Sequence, residues 1–384
     1  MNEATITRLR SRAPIVKVGR SRWFVTGFRA AERVLRCDEL VTCNPSESVE
    51  LMRGAETDVL LLMDGEAHRR VRNAVLPAFH ASAFSELEPF IAKTAETLLN
   101  GCDFTQPVDI VAQYALPLAT EGICAFLGVP RADQKDLTRR SLIVSKGLDR
   151  TTTPQSLVDI TKAERYLRDY FARFLEQRDG SGTRVVRTLL RKFENGILSD
   201  QEVTATLSLL LVAGQFTSAS LIAGGIFLCS DPVLRSQLVS PDGGRIEVNV
   251  EEIVRLASPV RTAASRWATK DVQIQNAFIR EGDEVIVILS AANDDPKLSP
   301  EGTGPARRPE RKHLGFGAGQ HYCLGAQLAR LEGRLGLEHF LRRTRSFDVS
   351  DEPVYEKTTA GARLSSLKIV RTEPQPNSSF LENS

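Results

Sequence analysis

From Val203 to Ser230 the chain carries no charged residue, and Asp231-Pro232 closes the run. Just before it, Ser199-Asp-Gln-Glu202 has the spacing of a capping box, with the Ser placed to cap and the Glu placed to reach back. One long helix is therefore predicted. Its length would allow a membrane span. Thr204, Thr206, Ser208, Gln215, Thr217, Ser218 and Ser220 interrupt it, however, and basic or aromatic flanks are missing. A helix apolar all round but sprinkled with hydroxyls reads as the buried centre of a large soluble protein.

The flanking patterns are shorter. Pro14–Gly19 and Trp23–Thr26, joined by Gly-Arg-Ser-Arg, predict a β-hairpin. Ala31, Val34 and Leu35 predict a helix over 28–40. Residues 43–62 read as a loop with a short helix. From Phe90 to Arg178 the periodicity is helical, broken at Pro107, Pro117, Pro130 and Pro154. Strands are predicted at 272–274, 277–279 and 284–289, with a turn at Gly282-Asp283. A further helix follows Gly325, then a hairpin formed by 358–361 and 364–370. Residues 1–12 and 373–384 read as polar, flexible tails around one domain covering 1–384.

One cysteine stands in an unusual setting. Phe316-Gly-Ala-Gly-Gln-His-Tyr-Cys-Leu-Gly325 surrounds Cys323 with Gly317, Gly319 and Gly325. Glycines at that density let a backbone turn sharply and approach a flat ligand. Ala326 to Glu332 are good helix formers, so Cys323 sits at the mouth of a helix, whose dipole favours a thiolate. A lone thiolate does not make a zinc site. It suits a metal whose in-plane ligands come from a cofactor, such as haem.

Phe316, Gly317, Gly319, His321, Cys323 and Gly325 match every fixed position of the haem-ligand loop of the cytochrome P450 family, and the chain resembles that family from Pro14 to Val370. The resemblance implies a mainly α fold with a smaller β-rich lobe. Haem b would lie between the long central helix and the Cys-loop helix, with Cys323 as axial ligand and dioxygen as co-substrate. It also implies that His68 and Arg72, four apart on one helix face, and Arg266 and His321 meet the haem propionates. Glu252 and Arg255 match a structural Glu-x-x-Arg, completed by Arg308 or its neighbour Arg307. Ala213-Gly214-Gln215-Phe216-Thr217 matches the family's oxygen-binding segment, a kink with Thr217 as its hydroxyl. The family usually has an acid before that Thr; here Phe216 stands in its place and cannot relay a proton. The route would then run through ordered water, held by Gln215, or through the substrate.

Composition narrows the partners. A net charge of +2 gives no global field for nucleic acid or an anionic membrane. The six cysteines form no Cys-x-x-Cys pair, which fits reduced thiols in a cytoplasm. No dinucleotide fingerprint is present, so electrons must come from outside; the resemblance implies a ferredoxin and its reductase. Arg69, Arg70, Arg311, Lys312, Arg330 and Arg334 are candidates for the docking face. The expected reaction is hydroxylation of a small organic molecule in secondary metabolism. Oxidative coupling or dehydrogenation without oxygen insertion is the alternative, and a non-catalytic haem sensor is the alternative of another class. Residues 43–62 and 140–175, Val260 and Thr359 are where substrate contacts are expected.

Overall fold

The computed structural model describes residues 5, 8–10, 13–43, 58–146, 154–177, 182–242, 245–298, 312–358 and 361–372. Arg307, Arg308, Arg311, Thr359, most of the 43–62 loop and the C-terminal tail lie outside the described residues.

The hairpin forms as expected, with β1 (Ile15–Val18) antiparallel to β2 (Arg22–Val25). Helix α1 (Phe28–Leu35) is shorter than its pattern predicts. Leu40–Val41 instead becomes β3, because it pairs with a strand more than two hundred residues away. Then come α2 (Gly65–Val75), α3 (Ala81–Asn100), β4 (Val108–Asp109) and α4 (Leu116–Leu127). A π-helical stretch, Val111–Ala115, runs directly into α4, so Pro117 sits at a helix start and breaks nothing. Next are α5 (Arg131–Ser145), α6 (Pro154–Glu176), α7 (Arg184–Glu194), the central helix α8 (Asp200–Leu228) and α9 (Pro232–Leu238). A small ribbon of β5 (Val239–Asp242) and β6 (Arg245–Val248) leads to α10 (Val250–Ala257). The strands β7 (Arg266–Ala268), β8 (Val272–Ile274), β9 (Ala277–Ile279) and β10 (Glu284–Val287) precede α11 (Leu289–Asn293). Beyond the cysteine loop lie α12 (Ala326–Thr344), β11 (Phe347–Val349), β12 (Val354–Thr358), β13 (Gly361–Ser366) and β14 (Lys368–Arg371).

Two cores result. The helical lobe buries α3, α4, α8 and α12 in one continuous apolar cluster. The β lobe closes a smaller cluster between α1 and the sheet β1-β2-β10-β7-β3. The last strands divide differently from the expected hairpin. β12 and β13 pair with each other, whereas β14 joins β11 and β4 in a separate sheet.

The start of α8 is fixed twice. Ser199 Oγ accepts from the Glu202 N–H at 3.1 Å, and the Glu202 carboxylate accepts from the Ser199 N–H at 2.9 Å. Arg70 of α2 also donates to Glu202. Helix α8 is long and apolar enough to cross a bilayer, but much of that stretch is buried against the other helices. Close approach sets its distance from α12: a Cβ at Gly333 would lie 2.8 Å from Leu221. The helix that follows Cys323 is thereby pressed against the helix that carries Ala213–Thr217.

Candidate functional site

The cysteine loop is a series of tight turns. Gly317 and Gly319 both adopt φ of 72°, a left-handed conformation that favours glycine. The Gly317 N–H donates to Leu314 O at 2.8 Å, Tyr322 N–H to Gly319 O at 3.1 Å and Cys323 N–H to Phe316 O at 2.9 Å. A Cβ at Gly319 would strike the carbonyl of Leu35 at the end of α1. Gly319→Ala combines that clash with a disfavoured φ, and the backbone term alone costs roughly 1–3 kcal/mol. Thermal unfolding should fall accordingly, with haem retention falling alongside it.

Three anchors hold the loop. Leu314 N–H donates to Asn293 Oδ1 at 2.7 Å, and Arg255 donates to the Asn293 carbonyl at 2.9 Å. Arg255 also grips Glu252 through two bonds of 2.8 and 2.6 Å, the pair that sequence spacing suggested. Glu251, which sequence reading passed over, ties α10 to the loop. It accepts from His313 Nε2 at 2.9 Å and from Arg330 at 2.6 and 3.0 Å. The His313 hydrogen bond, helped by Arg330 against the opposing effect of burial, holds the Glu251 carboxyl down to about 2. Arg330 in turn lies 4.3 Å over the ring of Phe316.

Cys323 itself is solvent-accessible yet enclosed by protein. Burial pushes its thiol up, outweighing the Gly325 N–H, Arg72 and Arg330, which all favour the thiolate. The expectation of a thiol acidified by its helix is thus reversed for the free group. The sulfur needs a cation at close range to ionise, as a metal ligand does.

A second cluster faces the loop from α2. His68 is 1% exposed, and neither ring nitrogen has a hydrogen-bond partner. Burial, followed by the charges of His321 and Arg72, lowers its pKa to about 4. The rings of His68 and His321 lie 4.3 Å apart. His321 Nε2 meets Asp64 Oδ1 at 3.1 Å, while Asp64 Oδ2 accepts from Thr42 N–H and Oγ1 at 2.7 and 2.8 Å. Those bonds hold the Asp64 carboxyl below its usual range although burial opposes them. Arg72 donates to the Tyr322 carbonyl at 2.6 Å, beside Cys323. Arg266, buried at the start of β7, donates to Ala264 O at 2.9 Å.

The remaining predicted residues lie on α8, which runs unbroken through them. Ala213 is exposed in the middle of this largely buried helix. At Gly214 a Cβ would come within 2.8 Å of Ile123 on α4. Gln215 is fully buried with neither amide atom paired. Thr217 Oγ1 donates back to the Ala213 carbonyl at 2.6 Å. Phe216 faces elsewhere, with the guanidinium of Arg363 on β13 lying 5.0 Å over its ring. Arg363 also pairs with Glu356 across the hairpin. A surface cleft of about 870 Å³ between α1 and β8 includes none of these residues.

These groups fit haem. An accessible thiol flanked by cations suits the iron. A buried imidazole with two unpaired nitrogens, together with Arg72 and Arg266, suits carboxylates brought in from outside the chain.

Comparison with known proteins agrees. A family model described as Cytochrome P450 matches residues 247–369. The Vitamin D(3) 25-hydroxylase of Pseudonocardia autotrophica is 32% identical over 85% of this chain and 81% of that protein. This chain is a cytochrome P450. The Mycinamicin IV hydroxylase/epoxidase of Micromonospora griseorubida is another relative, 33% identical over 85% of this chain and 82% of its own. The crystal structure of P450BioI in complex with hexadec-9Z-enoic acid ligated acyl carrier protein matches with a TM-score of 0.85. It is 25% identical and covers 96% of this P450 and 98% of its own chain. This P450 accordingly has the mainly α fold with its β-rich lobe, and haem b is its cofactor. It is a haem-thiolate monooxygenase that uses dioxygen, small-molecule substrates and electrons from redox partners. Relatives named as hydroxylases do not favour the coupling, dehydrogenation or sensor readings.

Proposed function

We propose that this P450 hydroxylates a small organic substrate of secondary metabolism, with Cys323 as the proximal ligand of the haem iron. The observation that carries the assignment is the enclosed but accessible Cys323 sulfur, with His68 beside the loop lacking a hydrogen-bond partner for either ring nitrogen. His68, Arg72, Arg266 and His321 would hold the propionates. Asp64 and Thr42 fix the His321 ring, a fixing role commonly conserved around metal sites. Phe316, Gly317 and Gly325 shape the turn under the sulfur, and the Gly325 N–H tempers its charge. Haem, when bound, supplies the dioxygen chemistry, and the thiolate's electron donation favours O–O cleavage.

Ala213 and Gly214 keep side-chain bulk away from the dioxygen side. Thr217 would present its hydroxyl there, exchanging its bond to the Ala213 carbonyl for one to a ligand or water. The structural triad is read as Glu252, Arg255 and Arg308. The electron donor we infer is a ferredoxin with its reductase. Of the cationic candidates, Arg70, Arg330 and Arg334 are engaged with Glu202, Glu251 and Glu88. Arg69 and Lys312 are exposed and are the cations we would assign to docking. A cytoplasmic location belongs to the same reading, because none of the six cysteines is joined in a disulfide.

Reduction by a surrogate ferredoxin and reductase, with product analysis over a panel of ligands that shift the haem from low to high spin, tests this function. Oxygenated product coupled to electron use supports it. Electron transfer into a spin-shifted complex with no oxidised product contradicts it. Phe216→Asp restores an acid before Thr217 and removes the ring under Arg363. The expected outcome is a changed fraction of electrons reaching product, or a changed product. Unaltered coupling and product distribution would remove Phe216 from the proton-delivery account.

A further inference from the structure

A half-buried cation borders the dioxygen side. Arg363 sits on β13 directly opposite Glu356 of β12. Side chains alternate along a strand. Leu364 takes the face packed into the helical core, so Arg363 projects from the other. There the guanidinium meets α8 and lies 5.0 Å over the ring of Phe216. Phe216 is half-buried, and Ala213, three residues earlier and so on the same side of α8, is exposed. Arg363 therefore stands at the rim of the opening over Ala213, where dioxygen and substrate are proposed to sit.

The guanidinium is not used up within the chain. It pairs with Glu356 through Nη2, while Nη1 and Nε have no hydrogen-bond partner among the described residues. Side-chain exposure is 21% for Arg363 and 37% for Glu356, so the carboxylate is the outer member of the pair and the cation the inner one. A pair that only tied two strands together would gain little from this arrangement. An arginine largely shielded from water, lying on a ring and with N–H groups unspent, is set to take a planar anion. One guanidinium that already faces one carboxylate suits a monoanion better than a dianion such as a phosphate monoester.

We infer that Arg363 selects substrates that carry a carboxylate. It binds that group beside Phe216 and leaves the carbon skeleton to run along the ring toward Ala213 and Thr217. This names the substrate class of the proposed hydroxylation and rests on that reading. Glu356 is a positioning residue that steadies the guanidinium from behind. Phe216 then has a use of its own. An acid at that place would pair with Arg363 and compete with the substrate, whereas a ring supports the cation and leaves its N–H edge available. Binding is by charge and hydrogen bonds, with no covalent step.

The test titrates the holoenzyme with a panel of aliphatic and aromatic carboxylic acids, each beside its methyl ester, and reads the shift of the haem from low to high spin. Acids should bind roughly tenfold or more tightly than their esters, as a charge-assisted pair implies. Arg363→Gln should bring acids level with esters, while ester binding and the reduced carbonyl spectrum stay as in the parent. Glu356→Gln breaks the same cross-strand pair but keeps the guanidinium, so the preference for acids should persist. A merely structural role for the pair does not separate those two variants. Phe216→Asp should lose the preference, because the new carboxylate takes the cation. A parent with no preference for acids, a preference that survives Arg363→Gln, or one lost in Glu356→Gln overturns the inference. If Arg363→Gln fails to take up haem, Phe216→Asp carries the test, and a preference that survives it overturns the inference. A parent that binds acids selectively yet yields no oxygenated product contradicts the proposed hydroxylation and leaves the Arg363 assignment standing. Oxygenation of neutral compounds with no preference for acids does the reverse.

Discussion

Replacing Cys323 by Ala is expected to abolish monooxygenation while leaving the polypeptide folded. The sulfur is accessible and contributes little to the core, so apoprotein stability should shift by no more than about 0.5 kcal/mol, as for an ordinary surface change. The metal site should suffer far more. Loss of a residue that merely orients a ligand weakens metal sites by roughly 10–100-fold. Loss of the ligand itself should exceed that, and haem content should drop with turnover. Circular dichroism of the apoprotein, haem content of the purified protein and turnover separate these effects. A Cys323→Ala protein that keeps its haem and its turnover would contradict the assignment.

The second large effect is expected at Arg255, for a different reason. Its guanidinium is buried and joins Glu252 to the carbonyl of Asn293, whose side chain receives the Leu314 N–H at the start of the cysteine loop. Arg255→Ala strands a carboxylate and a carbonyl where water reaches them poorly. Removing one member of a buried ion pair costs about 3–5 kcal/mol. A typical domain is stable by only about 5–15 kcal/mol, so most of the margin is at stake. Urea unfolding should show a much lower midpoint, and haem uptake should fail even though Arg255 is not placed at the haem. Arg255→Lys should not restore it, because a point charge cannot replace a two-pronged grip. An unchanged midpoint would show that the pair is dispensable.

What the sequence disclosed was local. The Ser199 capping box, the one-turn spacing of His68 and Arg72, and the glycines around Cys323 each lie within a few residues, and their physics depends little on the rest of the chain. What it concealed was relational. Asp64 serves His321, and Glu251 serves His313 and Arg330, across long separations with no periodic signal. Glu332 looked like one more good helix former; only the close approach of Gly122 and Ser218 makes it a buried acid. Leu40 left the helical pattern because Ala268 offered a strand partner. At Cys323 the loop and its cations favour the thiolate as the sequence suggests, but burial works against them, and burial is not visible in sequence.

The central claim is a sulfur–iron bond at Cys323. Its most direct test is the absorption spectrum of the reduced wild-type protein saturated with carbon monoxide. The expected result is the strongly red-shifted Soret band of thiolate-bound haem, lost when Cys323 becomes His. A wild-type band at the position given by imidazole ligation, or a red-shifted band that survives the substitution, would contradict the claim.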